Sequence, residues 1–202
     1  MKRFLAILFL VIILFGVWYL FLKKGKKEVK AVPEAIVEKV HSEDFNKGIA
    51  NMLEAYFSMK DAFVDADTTA IKLQTGKFIS SVDSLNLSDL QKGDSLLYIS
   101  AQQNVSDINA NAKPITEEND ITEMRHDFSM VSENLYPLLK TIGYEGKKIY
   151  WQNCPMAFGD DNPANWLSNS SEIDNPYLGK KDPKYKSGML HCGENMDSIY
   201  LK

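Results

Sequence analysis

The chain has 202 residues, 45% of them hydrophobic and 25% charged, with a formal net charge of -4. This length and composition suit one ordinary core once an N-terminal segment is set aside. The slightly acidic balance and the scattered Lys and Arg, without an aromatic-rich basic stripe, exclude the usual nucleic-acid interface, so no nucleic-acid partner is expected.

From Phe4 to Leu22 nineteen residues carry no charge, flanked by Lys2-Arg3 and by Lys23-Lys24-Gly25-Lys26-Lys27. At about 1.5 Å per residue the run matches a hydrocarbon core of roughly 30 Å. A cleaved signal peptide is the rival reading, but its apolar region is shorter and small residues precede the cut. Here the run ends Gly16-Val17-Trp18-Tyr19-Leu20-Phe21-Leu22, and Trp18 and Tyr19 suit a membrane interface. Residues 1–22 are therefore expected to be an uncleaved transmembrane anchor, with the lipid bilayer as partner. The Lys residues after the run outnumber the pair before it, which by the positive-inside rule points the body of the chain to the cytoplasm. The sulfur chemistry described below points instead to the periplasm, and we expect a soluble domain there, held to the cytoplasmic membrane by a single span. Residues 23–41, rich in Lys and interrupted by Pro33, read as a linker.

Residues 42–146 read as helices. Ser42-Glu43-Asp44 forms a start signal, with acidic side chains where the helix dipole favours them. Phe45, Ile49, Met52, Leu53, Tyr56, Phe57 and Phe63 then recur at spacings that make one apolar face, ending near Asp65-Ala66-Asp67. A second helix is expected from Thr68, with Ile71, Thr75, Phe78, Ile79, Val82 and Leu85 as its stripe and a break at Asn86 to Ser88. The third carries Leu90, Leu97, Ala101, Val105, Ile108 and Ala112; Gly93 interrupts it early and Pro114 is expected to end it. The fourth runs through Ile121, Met124, Phe128, Val131, Leu135, Leu138 and Ile142, with Pro137 expected to bend it and Gly143 to stop it. His126 reads as a surface histidine, with Arg125 and Asp127 free to pair locally. Four amphipathic segments with short breaks predict an antiparallel four-helix bundle.

From residue 147 the chain is rich in Gly, Pro, Asn, Asp and aromatic residues. It predicts an irregular cap over the bundle, with Lys148-Ile149-Tyr150-Trp151 as a short strand and Trp166-Leu167 and Ile173 folding back on the helices. Both cysteines of the protein lie here, Cys154 with Met156 and Cys192 with Met189 and His191. Brought together, these side chains offer two thiolates, two thioethers and an imidazole, a soft donor set that selects Cu(I)-like ions over Mg²⁺ or Ca²⁺. A Cys154–Cys192 disulfide is the competing reading, stabilising the fold by about 4 kcal/mol for a loop of this length. Thiol redox catalysis is a third, although the C-x-x-C spacing is absent. No Gly-rich phosphate loop, H-E-x-x-H or G-x-S-x-G occurs, and no catalytic residues are expected.

Gln152-Asn153-Cys154-Pro155-Met156-Ala157, Trp166-Leu167-Ser168, Glu172-Ile173, Asn175-Pro176-Tyr177, Gly179-Lys180, Met189-Leu190 and Cys192-Gly193-Glu194 resemble, in order and identity, a bacterial domain of unknown function, the one numbered 3347. Upstream, Tyr56 to Ala62, Arg125-His126-Asp127-Phe128 and Ser132-Glu133-Asn134-Leu135 resemble its first and last helices. The resemblance implies an envelope location, because such domains also occur appended to periplasmic adaptor subunits of copper and silver efflux systems. It raises the soft-metal reading to the level of the disulfide and makes an efflux adaptor or another envelope protein the expected partner. Lys181 to Gly188 intervene where the family runs almost directly into its Met-Leu-x-Cys-Gly segment, which lengthens the loop between the sulfurs. The expectation is a mainly α, membrane-anchored, non-enzymatic domain. It binds a soft ion through Cys154, Met156, Met189 and Cys192, with His191 as an optional fifth ligand, or else it is an interaction module stapled by Cys154–Cys192.

Overall fold

The computed structural model describes Phe15, Trp18, residues 40–92 and residues 95–200. The chain divides into two units, Met1–Ile36 and Val37–Lys202. In the first, Phe15 and Trp18 are helical and exposed, with ring centroids 5.4 Å apart. The expected anchor otherwise lies outside the described residues. Among those that are described, no helix is long and apolar enough to cross a membrane.

In the second unit, helix α1 (Glu43–Val64) starts where the Ser42 hydroxyl accepts the Phe45 N–H, which satisfies one of the first-turn donors a helix leaves unpaired. Helix α2 (Thr68–Asp83) begins after a three-residue turn, with Asp67 accepting the Ala70 N–H. A 3₁₀ segment (Leu87–Lys92) occupies the expected break. Leu90, placed by periodicity on the third helix, belongs to this segment and is buried from it. Helix α3 (Ser95–Glu117) and helix α4 (Ile121–Thr141) complete the bundle, with Asp120 capping α4.

One expectation about proline needs correction. Pro114 does not end α3, which continues to Glu117, and the Glu118 N–H still reaches the Pro114 carbonyl at 3.0 Å. Beyond the proline Ile115 is fully buried, and that burial favours one further turn. Helix α4 includes Pro137 and runs to Thr141; Ile142 caps it and Gly143, at φ 64°, reverses the chain.

Consecutive helices pack side by side, α1 on α2, α2 on α3 and α3 on α4. The short connections make each fold back on its predecessor. The bundle is closed between α1 and α4 by aromatic rings: Tyr56 stacks on Phe128 at 5.4 Å, and Phe63 approaches Phe128 at 4.7 Å.

The cap is more regular than expected. Strands β1 (Ile149–Cys154), β2 (Ala164–Ser168) and β3 (Glu194–Ile199) form an antiparallel sheet in the order β2-β1-β3. Asn, Gln, Asp and Ser dilute the β-branched signal along these strands, and the pairing that orders them is between residues far apart in sequence. Trp151 of β1 stacks on Tyr136 of α4 at 4.3 Å. Trp166 and Leu167 of β2 are fully buried, Trp166 with its ring by Tyr177 and Leu167 with its N–H on the Tyr56 hydroxyl of α1. The far end of α1 is also tied to the cap. The Lys180 N–H caps the Val64 carbonyl at 2.8 Å, and a Cβ on Gly179, at φ 51°, would lie 2.6 Å from that same oxygen.

Candidate functional site

The sulfur-bearing segments meet at one end of the sheet. In β1 the register runs from Tyr150 opposite Ser168 to Cys154 opposite Ala164, which turns the Cys154 side chain into the core. On the other side Asn153 pairs with Glu194, so the residues just before β3 arrive beside Cys154. Gly193 permits the closest approach. Its φ is 144°, and an added Cβ would sit 2.5 Å from the Asn153 carbonyl oxygen and 3.1 Å from the Trp166 ring. The result is a Cys154 Sγ to Cys192 Sγ separation of 4.0 Å.

The two thiols differ in surroundings. Cys154 is fully buried and Cys192 is partly exposed. Burial pushes the Cys154 thiol above its ordinary pKa, opposed in part by hydrogen bonds from the Met156 backbone and the Asn175 side chain. Met156 and Met189 are half-buried and pack against the edge of the core. His191 is exposed, its Nδ1 lying 2.7 Å from the Ile173 carbonyl and 3.6 Å from an Asp174 carboxylate oxygen. Of the five expected ligands, then, the structure brings Cys154 and Cys192 into contact, sets the two methionines on the same cap and engages His191 at the surface. Among the described residues no group of three or more His, Cys, Asp and Glu side chains is arranged to hold a metal. A soft ion here would rest on the thiol pair, supplemented by thioethers. The separation fits that role: it is less than twice a typical metal–thiolate bond of about 2.3 Å, so one ion reaches both sulfurs.

The inserted residues 181–188 do not pull the segments apart. Asp182 is buried and accepts the Lys184 and Tyr185 N–H groups at 2.9 and 2.7 Å. The Lys186 N–H returns to the Asp182 carbonyl, so the loop closes on itself before Met189.

Three residues of the site have roles that their sequence context did not reveal. Gln152 is fully buried and donates from Nε2 toward the Ser170 and Glu172 carbonyls and Asn195 Oδ1, at 3.0, 3.1 and 3.0 Å, pinning the loop after β2. Asn175, also fully buried, donates to the Cys192 carbonyl at 2.8 Å. Arg125, expected near the surface beside Asp127, is turned inward and donates from Nε to the Pro176 carbonyl at 3.1 Å. The signal for the first two is a polar side chain in a short block with core residues, since a polar side chain buried there calls for hydrogen-bond partners. Arg125 gave no such sign. His126 is exposed, as expected, and lies flat on Phe158 at 3.7 Å.

Residues 52–147 match the sequence profile of a family described as protein of unknown function DUF3347. Through this region the chain is similar to the DUF3347 family. The match spans most of α1 and all of α2, α3 and α4, and ends before β1, so the helical motifs noted above fall inside it and the motifs from Gln152 onward lie beyond it. Neither the curated proteins nor the solved structures contain a match to the chain.

Proposed function

We propose that this protein is a non-enzymatic domain of the cell envelope, held to the membrane by its N-terminal segment, that binds a soft ion of the Cu(I) type in metal handling or efflux. The observation that carries the reading is the 4.0 Å approach of Cys154 and Cys192 from two separate segments. Thiolates are the donors such ions select, and the half-buried Met156 and Met189 supply thioethers on the same cap. The cap residues that resemble efflux-adaptor appendages support an adaptor or another envelope protein as the partner.

Cu(I) titration of the reduced full-length protein under anaerobic conditions, in competition with a chromogenic chelator, tests the proposal. One tightly bound equivalent, lost in Cys154→Ser and in Cys192→Ser, is the expected result. Failure of the wild-type protein to compete refutes it.

The same pair also supports a disulfide staple. Burial of Cys154 disfavours its thiolate, and bond formation requires the sulfurs to close from 4.0 Å to about 2.05 Å. A free-thiol count on protein purified without reductant separates the readings: two blocked thiols together with no copper uptake after reduction identify a staple, and the function then resides on the bundle surface.

A further inference from the structure

We propose that Asn175 is the positioning residue of the sulfur pair: it fixes the Cys192 backbone against Cys154, so that the two sulfurs act as a preformed pair. The metal-binding consequence rests on the soft-ion reading above; the effect on the sulfurs themselves does not.

Asn175 is fully buried and its hydrogen-bonding groups are committed on several sides. Its backbone N–H donates to the Leu190 carbonyl at 2.8 Å, and its carbonyl accepts the Gly179 N–H at 2.9 Å. Its side-chain Oδ1 accepts the N–H groups of Tyr177 and Leu178 at 2.8 and 3.0 Å, and Nδ2 donates to the Cys192 carbonyl at 2.8 Å. These partners settle which amide atom is which. A flipped side chain would set its NH₂ against two backbone donors and its oxygen against a carbonyl.

The turn that carries Asn175 is itself rigid. Tyr177 is buried with its ring against Phe128 and Trp166, both at 5.9 Å, and its hydroxyl donates to the Asn165 carbonyl. Cys192 is therefore held from two directions, by Asn175 at its carbonyl and by the Met189 carbonyl at its N–H. An amide nitrogen has two hydrogens. One goes to the Cys192 carbonyl and holds that residue's backbone. Fixing the backbone of a ligand in this way orients it, as outer hydrogen bonds orient metal ligands elsewhere.

Asn175→Asp in the full-length protein removes the donors and keeps the acceptor that holds Tyr177 and Leu178. With the thermal unfolding midpoint still close to wild type, we expect two changes. The first is a fall in Cu(I) affinity of about tenfold or more. The second is a fall of about tenfold in the equilibrium constant for Cys154–Cys192 disulfide formation against glutathione, the scale set by the loss of the one buried hydrogen bond that holds the Cys192 backbone in place. A folded variant that matches wild type in both measurements overturns the proposal and leaves the soft-ion reading standing. If wild type takes up no Cu(I) while the glutathione constant still falls in the variant, the role of Asn175 stands and the soft-ion reading fails. Should the variant not fold, the side-chain amide resonances of Asn175 in ¹⁵N-labelled wild type decide. They are expected to shift on oxidation of the pair, and unmoved resonances overturn the proposal.

Discussion

The Tyr56 hydroxyl accepts the Leu167 backbone N–H at 3.1 Å and meets the Ser132 hydroxyl at 2.6 Å, so one side chain from α1 touches both β2 and α4. Ser132 donates its own proton to the Phe128 carbonyl at 2.9 Å, so the Tyr56 hydroxyl donates to Ser132 while it accepts from Leu167, which makes it the junction of bundle and cap. Burial pushes the Tyr56 phenol far above its ordinary pKa, which keeps it a neutral partner.

Replacing Tyr56 with Phe retains the rings' packing and strands the Leu167 N–H in the core. We expect a loss of about 1–3 kcal/mol in unfolding free energy. Denaturant unfolding of the two proteins measures it, and equal midpoints would show that Tyr56 does not join the two layers.

Gly193 allows the segment carrying Cys192 to lie against β1. In Gly193→Ala the new Cβ meets the Asn153 carbonyl oxygen and the Trp166 ring, neither of which has room to give way, at a φ that L residues rarely adopt. We expect a destabilisation of at least about 2 kcal/mol, together with separation of the sulfurs. Air oxidation of the reduced variant, followed by a thiol count, should then form the Cys154–Cys192 bond more slowly than wild type. An unchanged rate would show that the sulfur approach does not depend on this glycine.

Acid should loosen the joint between α4 and β3. Asp197 accepts Lys140 Nζ at 2.8 Å and the Tyr136 hydroxyl, and these contacts hold its carboxyl at about 2. An unfolded aspartate titrates near 3.9, so the stabilisation is complete above about pH 5 and is lost as pH falls toward 2. Both side chains are about half-exposed, at 50% for Lys140 and 46% for Asp197, and solvent screening reduces the contribution to about 0.5–1 kcal/mol. Asp197→Asn should be less stable than wild type at pH 7 by that amount, with most of the gap closed by pH 2. Thermal melts of both proteins from pH 7 to pH 2 check the sign: a gap that widens in acid contradicts it.

The bundle was legible in the sequence because each helix carries its own signals. Ser42 and Asp67 cap where start signals were expected, and the stripes from Phe45 to Phe63 and from Met124 to Leu138 are largely those that became buried. The departures came where a local rule met a tertiary contact. Pro114 should stop a helix, yet Ile115 beyond it is buried; Leu97 lies in register with the third stripe, yet remains 44% exposed in the first turn of α3.

In the cap the balance reverses. Residue types alone pointed to Cys154, Met156, Met189, His191 and Cys192, because sulfur and imidazole chemistry does not depend on the fold to be recognised. Which of them meet was decided by tertiary structure. Pairing Asn153 with Glu194 brings Cys192 to Cys154, whereas the contact from His191 Nδ1 goes to the Ile173 carbonyl. The difference is physical: helix signals are written within a few residues of the bonds they predict, whereas a strand register, a buried Asn175 and a glycine pressed on a distant carbonyl acquire their meaning only from the segment that arrives beside them.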